Sequence, residues 1–191
     1  IQPQVGYLDV IRAAMAEDDV FVDEMTQVGY ASRYALPVYT PRTYVNSSYQ
    51  GTLGYGFATA LGAQVGAGKR RVISVNGDGG FMYTMPELAT AVLHRIPLIA
   101  IVFNDGNFGN VPRIQANKYG GRLIASNLHN PDFVALAHSF GVAGLKAEGP
   151  EDLAAALETA RGLEGPVLIE VPMNLDATPS PWKHVHGRKV R

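Results

Sequence analysis

The chain contains no cysteine in its 191 residues. That excludes disulfides, thiolate nucleophiles and cysteine-ligated iron–sulfur clusters within it, and it fits a reducing compartment such as the cytoplasm. An excess of charge of either sign is missing as well. Lys plus Arg number 16 and Asp plus Glu 17, a formal charge of −1, which gives no electrostatic case for nucleic acid or an anionic membrane surface as partner. Long apolar runs are also absent. The longest, Ile96 to Phe103, is far shorter than a membrane span and holds Pro97; it reads as a central parallel strand buried on both faces. Repeats, low-complexity segments and a signal-peptide pattern are lacking. The chain opens on Ile1 rather than methionine, which reads as an excised or truncated piece.

What is present alternates. Helical patterns at about 6–17, 53–66, 85–94, 130–138 and 150–162 are interleaved with β-like runs at 20–23, 71–76, 97–103, 142–146 and 167–171. Such a series predicts an α/β fold, a doubly wound, mainly parallel sheet with helices on both faces. One domain over residues 1–176 and a C-terminal tail over 177–191 are expected. Two stretches show no clear period, Pro37 to Ser48 and Asn107 to His129.

Two segments carry the chemistry. Gly77-Asp78-Gly79-Gly80 closes the run Arg71 to Asn76, and Asn104-Asp105-Gly106-Asn107 closes the run Leu98 to Phe103. A βαβ crossover between them makes the strands parallel and sets Asp78 beside Asp105, at the sheet edge where open α/β folds bind ligands. The glycines remove Cβ atoms that would keep an anion from the backbone and permit positive φ at the turn. The two carboxylates are hard oxygen ligands suited to Mg²⁺, which shares phosphate oxygens with protein carboxylates. A diphosphate with a divalent cation fits this pattern. Either segment alone is also an ordinary turn signal. Rival nucleotide motifs fail: Met82 stands where a Rossmann third glycine belongs, and around Gly68-Lys69 a Walker loop would need glycine at Ala63 and Ser or Thr at Arg70.

Gly-Asp-Gly followed at this spacing by an Asn-Asn-like pair resembles the signature of thiamine-diphosphate-dependent enzymes. Gly77 to Gln115 looks like the cofactor-diphosphate domain that follows two others in acetolactate synthases, benzoylformate decarboxylases and pyruvate decarboxylases. The resemblance implies metal ligation by the Asp78 carboxylate, the Asp105 side chain and the Asn107 backbone carbonyl. Asp105 stands where that family usually has asparagine, adding a negative charge beside a diphosphate. A second match, Gln50 to Ala63, implies that Leu53 is the apolar wedge that bends the cofactor, with the Gly51 carbonyl and Leu53 N–H bonding its aminopyrimidine. Bending brings the 4′-imino nitrogen near thiazolium C2, a proximity effect. A third match, Val20 to Gln27, resembles the benzoylformate decarboxylase strand and puts Thr26 and Gln27 at the diphosphate, though both also suit a helix cap. Thr52, Gly77, Gly79, Gly80, Phe108 and Gly109 complete the expected cofactor contacts.

The resemblance also implies what is missing. The glutamate that activates the pyrimidine belongs to a pyrimidine-binding domain, of the same enzyme or a neighbouring subunit, so the chain carries half of an active site and no catalytic residue is assigned. It is either cut from a longer polypeptide or the small subunit of a two-chain enzyme, and its helical start favours the first. Val111 occupies the pyruvate decarboxylase glutamate position and Ile114 the acetolactate synthase tryptophan position, departures that count against both assignments. A 2-oxo acid substrate for decarboxylation or carboligation is implied. An isolated chain is expected to fold, to associate through an apolar face near Leu53, Tyr55 and Phe108, and to be inactive; Glu24 is the relay to expect if it were active. A non-catalytic nucleotide- or phosphate-binding module is the alternative. None of the five histidines has metal or acid–base spacing, and His184 and His186 belong to a cationic tail with Lys183, Arg188, Lys189 and Arg191.

Overall fold

The computed structural model describes residues 1–185; His186, Arg188, Lys189 and Arg191 of the cationic tail lie outside them. In chain order the elements are α1 (Gln4–Ala14), β1 (Val20–Val22), α2 (Gln27–Ala35), β2 (Tyr44–Val45), α3 (Tyr55–Ala67), β3 (Val72–Gly77), α4 (Asp78–Thr84), a 3₁₀ turn (Met85–Glu87), α5 (Leu88–Leu93), β4 (Ile99–Asn104), α6 (Asn110–Lys118), α7 (Phe133–Ser139), β5 (Ala143–Lys146), α8 (Pro150–Arg161), β6 (Val167–Pro172) and α9 (Trp182–Val185). All pairings are parallel, in the order β2-β1-β3-β4-β6-β5. The chain steps outward from β1 to β2, then returns to lay β3 along the other side of β1. That reversal opens a crevice at the carboxyl ends of β1 and β3.

Strand alternation divides the core into two layers. In β4, Ile99, Ile101 and Phe103 face one layer, built from Tyr7, Leu8 and Ile11 of α1, Val28 and Ala31 of α2, and Leu153 and Leu157 of α8. Ala100 and Val102 face the other, built from Phe57 and Leu61 of α3, Phe81 of α4, Leu88 of α5 and Phe133 of α7. A strand apolar on both faces is what burial between two helical layers requires. The expected doubly wound α/β sheet is therefore present.

Three local expectations change. The crossover helix starts at Asp78, directly from β3, and not near Met85; Pro86 has no N–H to donate, and the path breaks there into a 3₁₀ turn before α5 resumes. The stretch from Asn107 to His129 contains α6, whose residues are nowhere fully buried, so no apolar stripe marked it. Pro37 to Ser48 contains β2, two residues paired with β1. The sequence pattern had also passed over α2. Of the expected tail, the part through Trp182 is held to the body: Gln4 Nε2 donates to the Pro179 carbonyl at 2.6 Å, and Trp182 packs edge-on against Tyr30 at 5.1 Å.

Phe81 sits at the centre of the second layer, fully buried between Phe57 at 5.1 Å and Phe133 at 5.8 Å, ring centre to ring centre. Phe81→Ala leaves a cavity that the surrounding rings cannot fill and costs about 3–5 kcal/mol, to be read as a lowered urea midpoint with an unchanged denaturant slope.

Candidate functional site

The carboxyl ends of β1, β3 and β4 meet in an open pocket of about 90 Å³, lined by Thr26, Gln27, Leu53, Gly77, Asp78, Gly79, Gly80, Asp105, Asn107, Phe108 and Gly109. These come from three sequence segments that the expectations had treated separately. Gly51 and Thr52 stand just outside the lining, next to Leu53. Met25, Tyr30, Asn110 and Val111 also line the pocket and were not among the expected contacts; the helices that bring Tyr30 and Asn110 there are α2 and α6, the two without a clear pattern.

Asp78 anchors the floor. Its Oδ1 accepts from the Gly79 N–H at 2.9 Å, and its Oδ2 accepts from the Gly106 N–H at 2.8 Å and from Asn130 Nδ2 at 2.6 Å. Burial raises its carboxyl above the ordinary range, and these donors oppose that. Asp105 accepts from the Asn107 N–H at 3.0 Å. Burial first, and the charge of Asp78 second, push Asp105 up to about 7. A buried and a half-buried carboxyl that disfavour each other's charge in one cleft are a ready place for a cation. Among the described residues no three His, Asp or Glu side chains gather in one place, so such a cation would need oxygens from elsewhere, which a diphosphate supplies.

The glycines act differently from the expectation. Gly77, Gly79 and Gly80 do not take positive φ, because the strand passes straight into α4. A Cβ on Gly79 would lie 2.5 Å from the Phe108 ring, and one on Gly80 only 2.2 Å from Glu24 Oε1. The lack of a side chain at Gly79 and Gly80 thus admits Phe108 and Glu24, and all three glycines present their backbone to the pocket. Positive φ is used instead at Gly51 (58°) and Gly54 (80°), which flank the segment presenting Leu53. Leu53 is 38% exposed at the pocket mouth.

On the opposite wall, Thr26 precedes α2 without a side-chain capping bond, which leaves its hydroxyl available to a ligand. Gln27 is buried, and its Oε1 accepts from Arg113 Nη1 at 2.7 Å. Arg113 Nη2 also reaches the carbonyls of Leu175, at 2.8 Å, and Thr178. One guanidinium thus ties α6, α2 and the C-terminal segment into the rim. Glu24 is fully buried and absent from the pocket lining, so it does not face a ligand as a relay would. Among the described residues no histidine lines the pocket: His94 follows the last turn of α5, His138 is exposed on α7, and the His184 ring packs 5.7 Å from Tyr34.

A family model described as the C-terminal TPP binding domain of thiamine pyrophosphate enzymes matches residues 25–171. The acetolactate synthase of Bacillus subtilis is 40% identical over 171 residues, 87% of this chain and 30% of that protein. A probable 2-ketoarginine decarboxylase of Pseudomonas aeruginosa is 34% identical over 167 residues, 86% of this chain and 29% of that protein. Among solved structures, the thiamine diphosphate-dependent 4-hydroxybenzoylformate decarboxylase of Rhodococcus jostii RHA1 superposes with a TM-score of 0.83 at 29% identity, over 90% of this chain and 32% of its own. The chain spans less than a third of the length of these relatives.

A pH dependence follows from the paired carboxylates. The folded chain holds the Asp105 proton up to about pH 7, whereas the unfolded chain releases it near 3.8. The stability this group contributes is therefore complete below about pH 4 and lost as pH rises through about 7. With divalent ions chelated, Asp105→Asn should melt close to the parent at low pH and above it beyond neutrality, as followed by circular dichroism.

Proposed function

The chain belongs to the thiamine pyrophosphate enzymes as their C-terminal cofactor-binding domain, and from that premise we propose that it supplies the diphosphate and metal half of an active site for decarboxylation or carboligation of a 2-oxo acid. The observation that carries this reading is the meeting, in one pocket, of Asp78, Asp105, the glycines at the junction of β3 and α4, and Leu53. A nucleotide-binding module on the same sheet has no use for an exposed leucine held between two left-handed glycines.

The residues present fit the cofactor. Asp78 and Asp105, with the Asn107 carbonyl, would hold Mg²⁺, and the cation would remove the repulsion that now lifts Asp105. Thr26, Gln27 and the backbone from Gly77 to Gly80 would hold the diphosphate, with Phe108 and Gly109 closing that end. The Leu53 side chain would press against the cofactor while the Gly51 carbonyl and the Leu53 N–H meet its aminopyrimidine, with Thr52 beside them. When bound, thiamine diphosphate supplies an acidic carbon that adds to a 2-oxo carbonyl and accepts the electrons left as carbon dioxide departs.

The chain's own part is to bind and to orient. Three hydrogen bonds fix the Asp78 carboxylate before any ligand arrives, so its placement costs no reorganisation on binding. Arg113 leaves the Gln27 Nε2 side free, because it occupies Oε1. No glutamate or histidine lines the pocket, which supports placing the activating glutamate on a pyrimidine-binding domain, of the same polypeptide or of a neighbouring subunit in a homo-oligomer. An apolar mouth at Leu53, flanked by half-buried Tyr55 and Phe108, is the surface such a partner would cover. Among the described residues no helix is long and apolar enough to cross a membrane; with the absence of cysteine this supports a cytoplasmic setting.

In the full-length protein, Asp78→Ala should abolish Mg²⁺-dependent binding of thiamine diphosphate in a calorimetric titration, while Asp105→Asn retains it within about tenfold, since an amide oxygen can still ligate. Equal affinity for Asp78→Ala and the parent would remove the metal assignment. Leu53→Ala should change affinity by no more than about threefold and slow exchange of the bound cofactor's C2 proton, read by NMR, because ring geometry and phosphate anchoring are separate contributions.

A further inference from the structure

Behind the pocket, two fully buried oxygens lack any hydrogen-bond partner: Glu24 Oε2 and Asn76 Oδ1. They crowd one point from two sides. A Cβ on Gly56 would stand 3.1 Å from Glu24 Oε2 and 2.5 Å from Asn76 Oδ1. The Asn76 amide cannot turn to offer its nitrogen, because Nδ2 donates to Ser74 Oγ at 3.0 Å and to the Ile101 carbonyl at 3.2 Å. The other Glu24 oxygen, Oε1, accepts from the Gly54 N–H, the residue that follows Leu53. Two buried acceptors without partners that both approach Gly56 are costly, and one shared proton would relieve both.

We propose that Glu24 is a positioning residue kept as a neutral acid, its Oε2–H donating to Asn76 Oδ1 while its Oε1 takes the Gly54 N–H. The pair then fixes the Gly51–Gly54 segment from behind and so sets how Leu53 enters the pocket. The consequence for Leu53 rests on the thiamine diphosphate reading; the proton between Glu24 and Asn76 does not.

The surroundings agree with a neutral acid. Burial raises the Glu24 carboxyl to about 7, with the charge of Asp23 adding and the N–H groups of Gly54, Gly56 and Tyr55 opposing. From α2, Tyr30 and Arg33 face this region, and Arg33 is paired with Asp23 at 3.1 Å. From α3 the titratable neighbour is Tyr55. The β3 side presents Ser74 and Asn76, which do not titrate, and Asp78 of α4 is turned toward Gly79, Gly106 and Asn130. No cation on these elements is placed to neutralise Glu24 directly, since Arg33 is already engaged by Asp23. The folded chain keeps the proton up to about pH 7 and the unfolded chain loses it near 4.5, so this contribution to stability is complete below about 4.5 and lost as pH rises through 7.

Glu24→Gln preserves both hydrogen bonds, with the amide donating to Asn76 Oδ1 and accepting from Gly54, but cannot ionise. Without cofactor or metal, the infrared difference between the parent and Glu24→Gln at about pH 5 should contain the C=O band of one protonated carboxyl, fading as pH passes neutrality. Melting of Glu24→Gln should match the parent at about pH 5 and exceed it above about pH 8. With thiamine diphosphate and Mg²⁺ bound, C2 proton exchange in the parent should fall along the same titration, while Glu24→Gln shows no such step. Absence of the carboxyl band, or a melting offset for Glu24→Gln that is independent of pH, overturns the shared proton. A C2 exchange profile with the same step in Glu24→Gln overturns the positioning role. Failure of the parent to bind the cofactor would instead strike the pocket reading, and the two cofactor-free measurements would still decide the Glu24–Asn76 pair.

Discussion

A buried carboxylate that must be satisfied from three directions organises the carboxyl edge of this sheet. Asp78 leaves β3 as the first residue of α4 and is met by its neighbour's N–H, by the N–H of Gly106 after β4, and by Asn130 from the segment leading to α7. Asn130 also donates to Asn104 Oδ1 at 2.8 Å, so the ends of two adjacent strands and a remote loop are held in a fixed relation. Burying such a group without its donors would be prohibitive. With them, the Asp78 carboxyl is fixed at the pocket floor, next to the Asp105 carboxyl.

The two ends of the pocket are held in different ways. The Asp78 end is fixed by two backbone N–H groups and the Asn130 amide, whereas the Leu53 end is exposed and is positioned by conformation, with left-handed glycines on either side and Glu24 beneath. Polar groups are concentrated where charge is to be held, and the exposed apolar surface lies where another protein surface is expected. The same pocket therefore has one wall finished by this chain and one that is open.

Much of this was legible in the residues. Alternating runs gave the strands, because strands buried on both faces are continuously apolar, as Ile99 to Phe103 shows. The acidic residues at the ends of β3 and β4 marked the site, because parallel strands bring their carboxyl ends to one edge. Other features left no local signal. α6 buries none of its residues fully and is held by Arg113 and its neighbours rather than by a stripe, and α2 was hidden by its mixture of glycine, aromatics and polar residues. The roles of Gly79 and Gly80 were misread because what approaches them, the Phe108 ring and the Glu24 carboxyl, is distant in sequence. The approach of Glu24 and Asn76 to Gly56 is of the same kind, created only by the packing of α3 against β1 and β3.

The Arg113 guanidinium has a consequence for how the molecule is assembled in time. It joins Gln27, 86 residues before it, to carbonyls up to 65 residues after it, and Gln4 closes on Pro179 across 175 residues. Contacts of such span form only after most of the chain has been ordered. As the polypeptide leaves the ribosome, β1, β3 and β4 can pair and Asp78 can find Gly106 while the last segment is still being made. The rim formed by α6 waits for the carbonyls of Leu175 and Thr178. The rim of the pocket is thus completed late, on a sheet already built, and a nascent chain presents an incomplete pocket until synthesis has passed Thr178.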